Sequence, residues 1–78
     1  MAMAKLTRLD KQWRELMFLC DREKTFRDQG NHPRLLKLVT GHIEHLAREM
    51  GFSHRQIQTR DFRAVRNGDH IVSVVRDK

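Results

Sequence analysis

One cysteine, no tyrosine, one tryptophan and four phenylalanines leave this chain poor in the residues that most often announce a site. A lone Cys20 cannot close an internal disulfide, and no row of spaced cysteines offers a zinc site. The expected setting is a reducing cytoplasm, with Cys20 as a small buried hydrophobe. No apolar run is long enough to span a bilayer, and the opening Met1-Ala2-Met3-Ala4-Lys5 lacks the apolar core of about 7–15 residues that a secretion signal needs. The expectation is a cytoplasmic chain with no membrane partner.

Signatures of chemistry are missing as well. His42 and His45 alone make too few ligands for zinc. Asp21, Asp28 and Glu49 stand at no spacing that fixes a base beside a nucleophile, and no glycine-rich phosphate loop follows a strand. The reading is a non-enzymatic protein with no catalytic residue, metal or cofactor. Its 78 residues form one domain, 1–78, near the size at which self-association contributes to stability, and a homodimer is expected.

Positive charge is what the chain has in excess. Sixteen Lys and Arg against ten Asp and Glu give a net charge of +6 at pH 7, which implies a nucleic acid or an acidic protein surface as partner. Basicity is greatest after Gly51, where Arg55, Arg60, Arg63, Arg66, Arg76 and Lys78 outnumber Asp61, Asp69 and Asp77. The planar donor fork of arginine suits phosphates and base edges, and it serves protein interfaces equally well.

The pattern predicts an α+β fold, mainly α: two long antiparallel helices, a short third helix and a C-terminal β-hairpin. Thr7 with Asp10 caps a first helix from about Arg8 to Gln29, in which Leu9, Trp13, Leu16, Met17 and Cys20 recur at helical spacing. Asp10 is expected to pair with Arg14 on its surface. Gly30 ends it, and Pro33 opens a second helix to Met50, capped by Asn31 or His32. Leu35, Leu36, Leu38, Val39, Ile43, Leu46, Ala47 and Met50 make its apolar stripe, with Gly41 marking close packing or a bend. A third helix runs from His54 to Arg60 or Phe62. Asn67-Gly68 predicts a type I′ turn between strands at Asp61–Arg66 and His70–Val75. The core is expected at Leu16, Cys20, Leu36, Val39, Ile43, Leu46 and Ile57.

The junction of the second and third helices carries the most information. Gly51 stops one helix, Phe52 is placed to fold back on its last turn, and Ser53 with Gln56 has the spacing of a capping box for the next. Leu46-Ala47-Arg48-Glu49, Gly51-Phe52-Ser53 and Ile57 resemble the helix-turn-helix of bacterial DNA-binding proteins over roughly residues 46–57, and the following hairpin resembles a reduced winged helix. The resemblance implies that the alanine packs in the bend, the glycine opens the turn, the serine caps the recognition helix and the isoleucine anchors it. The chain departs from that pattern in its longer preceding helix and in having no hydrophobic residue one turn beyond Ile57.

The resemblance implies a DNA-binding transcriptional regulator acting by groove and phosphate contacts. Ser53, His54, Arg55, Gln58 and Thr59 would approach the groove, with Arg55 read against guanine and Gln58 against adenine. Arg60, Arg63, Arg66 and Lys78 would contact phosphates. The alternative is a protein-protein interaction module, an inhibitor, adaptor or assembly factor, using Trp13, Phe18, Leu19 and Phe26. RNA ranks below duplex DNA as a partner because Phe62 is the sole aromatic residue of the ribbon on which a base can stack.

Overall fold

The computed structural model describes residues 6–77. It has three helices, α1 (Arg8–Gln29), α2 (Pro33–Met50) and α3 (His54–Thr59), and two antiparallel strands, β1 (Ala64–Asn67) and β2 (His70–Val74). This is the predicted α+β architecture of two long helices, a short helix and a C-terminal hairpin.

Local chemistry accounts for the helix ends. The Thr7 hydroxyl accepts from the Asp10 amide at 3.1 Å while the Thr7 amide donates to the Asp10 carboxylate at 2.9 Å, a complete capping box. At the end of α2, Gly51 takes a left-handed φ of 100°. Its amide donates to the Arg48 carbonyl and that of Phe52 to the Ala47 carbonyl, both at 3.1 Å. That pair of bonds is a Schellman ending, and Phe52 is buried as the motif requires. Ser53 then opens α3, its hydroxyl accepting from Gln56 N at 3.2 Å and its amide donating to Gln56 Oε1 at 3.0 Å. At the start of α2, His32 is the cap position but provides no side-chain cap bond; its ring instead meets the edge of Phe26.

The core lies between α1 and α2 and is closed by α3 and Phe52. Leu16, Leu19, Ile43, Leu46, Ala47, Met50, Phe52 and Ile57 form the buried cluster, with Cys20 and Val39 packed against it and only partly covered. Burial raises the Cys20 thiol above its ordinary pKa. Three expectations change at the start of α2. Leu36 is half-buried and lies outside the buried cluster, and Leu35 and Leu38 are exposed. Gly41 marks no close packing, because a Cβ there would meet nothing within 4 Å.

The C-terminal part departs further from the predicted boundaries. α3 stops at Thr59 because Arg60 adopts a left-handed φ of 59°. Asp61 to Arg63 precede the first strand rather than forming part of it. Asn67 pairs with His70, so the turn is Gly68-Asp69, with Gly68 as its only left-handed residue. That is the glycine-first pattern of a type II′ turn, where two left-handed residues had been expected. The register places Val65 opposite Ser73 and Arg66 opposite Ile71, leaving Val72 as the extra residue of a bulge.

Candidate functional site

The hairpin packs on α1 and α3 on α2, and the two surfaces anticipated from the sequence meet where Trp13 and Arg66 line one cleft. On α3, His54, Arg55, Gln58 and Thr59 are exposed, as are Arg63 and Arg66 beyond it. Lys78 lies outside the described residues. Exposure alone does not make these side chains available.

Arg55, expected to read guanine, is held within the molecule. Its guanidinium donates to both oxygens of Asp77, with Nη2 at 2.8 Å from Oδ1, and to Asp61 Oδ2 at 2.9 Å. Bonding to Arg55 holds both carboxyls below their ordinary pKa. Arg63 pairs with the same Asp61 at 3.1 Å. The Ser53 hydroxyl is 3.1 Å from Asp77, so it caps α3 and fastens the chain's last described residue together.

Arg60, expected at a phosphate, points inward instead. Its Nε and Nη2 donate to Glu23 Oε1 and Oε2 at 3.0 and 2.8 Å, and Nη1 donates to the Ile57 carbonyl. Glu23 is buried on α1 and also accepts from the Thr40 hydroxyl at 2.6 Å. The Arg60 fork, then Thr40, lowers the Glu23 pKa against the opposing effect of burial. The ion pair joins α1 to the end of α3 and gives Arg60 a structural role. Thr59 returns its hydroxyl to the Arg55 carbonyl at 2.9 Å.

Two further polar residues matter more to this architecture than their sequence positions suggest. Gln56 is fully buried: its Nε2 donates to the carbonyls of Val75 at 2.6 Å and Asp61 at 3.3 Å, while Oε1 accepts from the amides of Ser53 and Asp77. Asp10 has no pair with Arg14. Its buried carboxylate accepts from His70 Nδ1 at 2.7 Å and from Ile71 N at 2.6 Å. With the Thr7 amide, these donors hold Asp10 well below the usual carboxylate range. The capping-box spacing was a visible signal for both residues, but it revealed only one of the roles each plays.

The residues of the alternative interface do not stay together. Leu19 belongs to the core, and Trp13 is half-buried in a cleft with Asp10, Met17, Arg66 and Ile71. Phe26 is half-buried beside His32. Phe18 alone is strongly exposed, at 57%, with the Arg22 guanidinium 5.2 Å from its ring centroid.

Two leucines that the sequence placed in the apolar stripe of α2, Leu35 and Leu38, are exposed as well. Glu15, Phe18 and Arg22 share one stripe of α1 by helical spacing, as do Leu35, Leu38 and His42 on α2. His42 Nε2 lies 3.3 Å from Glu15 Oε1, so the two stripes border each other. The hairpin and Trp13 lie on the other side of the pair. This leaves Leu35 at 46% and Leu38 at 70% exposure on the uncovered side. Next to Leu38 a shallow apolar groove is lined by Arg34, Lys37 and Gly41.

No known family, curated protein or solved structure matches the chain. Its functional reading therefore rests on these surfaces. Among the described residues, no group of three or more His, Cys, Asp and Glu is gathered as metal ligation requires, and no helix is long and apolar enough to cross a membrane.

Proposed function

We propose that the chain is a non-enzymatic protein-protein interaction module that uses the uncovered side of its α1–α2 pair. The observation that carries this reading is the exposure of Phe18, Leu35 and Leu38 on one side of two packed helices. Large apolar side chains grouped on a surface favour a partner that removes them from water, at about 25 cal/mol per Å² of apolar area. The arginine commitments described above support the same choice, since Arg55 and Arg60 would have to leave carboxylates to meet a nucleic acid.

A second reading keeps the duplex-DNA regulator, through the exposed His54, Gln58, Thr59 and Arg66 together with the net charge of +6. Sedimentation of the free chain and titration with duplex oligonucleotides separate the two. The interaction module predicts a monomer with no duplex affinity even at low salt. A dimer that Leu38→Asp converts to monomer identifies the face as a self-interface and ends the proposal of a different partner. Duplex binding that falls steeply with salt and is weakened by Arg66→Ala favours the regulator.

A further inference from the structure

We infer that the outer side of α2, at Leu38 and Gly41 beside Arg34 and Lys37, docks an acidic amphipathic helix of a partner protein. This rests on the interaction-module reading and names the chemistry of the partner.

Gly41 is the first argument. It occupies the interior of an 18-residue helix, where glycine lowers helix stability, yet no internal neighbour requires its small size: a Cβ there would meet nothing within 4 Å. What the missing side chain does provide is a notch in the surface of α2, next to the most exposed leucine in the protein. A notch flanked by an apolar side chain accepts the ridge of another helix and lets the two axes approach closely.

Charge specifies which helix. The groove lining contains Arg34 and Lys37 and no carboxylate. Among the described residues neither cation has an ion-pair partner. An apolar stripe with acidic flanks complements this surface in both respects. A second copy of the chain fits less well, because an isologous contact gathers the Arg34 and Lys37 of both copies into one patch whose lining has no carboxylate. A bilayer is a poorer fit too: lipid packs against a continuous apolar face, whereas here the apolar residues border a notch.

The test uses two synthetic helical peptides of about 18 residues, with leucines at i, i+3 and i+7 flanked by glutamate in one and by lysine in the other. Binding is followed by amide chemical shifts of the full-length chain. The acidic peptide is expected to shift Lys37, Leu38 and Gly41, with affinity that falls as salt rises. Leu38→Asp is expected to weaken it about tenfold or more. Gly41→Leu fills the notch and improves helix propensity, so it is expected to weaken binding while the thermal midpoint holds or rises.

The lysine peptide binding as tightly, shifts confined to α3 and the hairpin, or anionic phosphatidylserine vesicles moving the same amides while the acidic peptide does not, would each overturn the acidic-helix assignment. The first of these results leaves the interaction module standing, because the face still takes a helix; the other two count against that reading as well. Self-association through Leu38 in the sedimentation experiment instead removes the reading beneath it.

Discussion

Arg60 holds a backbone conformation that costs an L-residue about 1–2 kcal/mol, and its guanidinium reaches the buried Glu23 from there. Replacing it with alanine keeps the strained conformation and strands a carboxylate whose side chain is 5% exposed. Arg60→Ala is expected to cost about 3 kcal/mol in urea unfolding. Arg60→Gly loses the same ion pair but relieves the backbone, so it should be less damaging by about 1 kcal/mol. Arg63→Ala, on an exposed pair with Asp61, should fall within about 0.5 kcal/mol of the parent. Equal losses at Arg60 and Arg63 would contradict the inward placement of Arg60. The two arginines look alike in the sequence, because the partner that distinguishes them is 37 positions away. Glu23 did leave a local signal: it stands seven residues after Leu16, in the register of the buried stripe, where a carboxylate needs a cation.

At the scale of elements, α3 is too short to persist alone, at six residues. Burial of Ile57, the Schellman junction and Gln56 hold it in place. Gln56→Ala removes a donor from two carbonyls and an acceptor from two amides, and is expected to destabilise by about 2–3 kcal/mol in thermal or urea unfolding. Gln56→Leu should not recover the loss, since filling the volume leaves those backbone groups unpaired. A full recovery would mean that packing rather than hydrogen bonding anchors α3. The caps of α1 and α3 and the glycine end of α2 were legible because each is written within a few adjacent residues. The hairpin was legible as an element but not in its turn or register, because Asn67-Gly68 fits more than one turn and the residue next to the bulge, Ile71, bonds Asp10 sixty-one positions away. Leu35 and Leu38 were unreadable as surface for a related reason. Helical spacing shows which residues are apolar, but not which side of the helix the rest of the chain covers.

The whole molecule is a plate with extents of 45 × 35 × 17 Å. In so thin a body, polar clasps carry much of the work of joining elements, and carboxylates supply four of them: Asp10 to the hairpin, Glu23 to Arg60, and Asp61 and Asp77 to Arg55. All four have folded-state pKa values below their ordinary ones. Their contribution is therefore present above the unfolded values, near pH 4, and is lost as pH falls through the lower folded values. Urea midpoints should change little from about pH 7 to 5 and decline below about pH 4. A midpoint that rises on acidification through that lower range would contradict the assignment of these groups. One clasp also shapes how the native state fluctuates. Ser53, Arg55 and Gln56 grip Asp77, so the first turn of α3 cannot fray without releasing the residues that follow β2. Two segments more than twenty positions apart are thereby bound into a single unit of local opening.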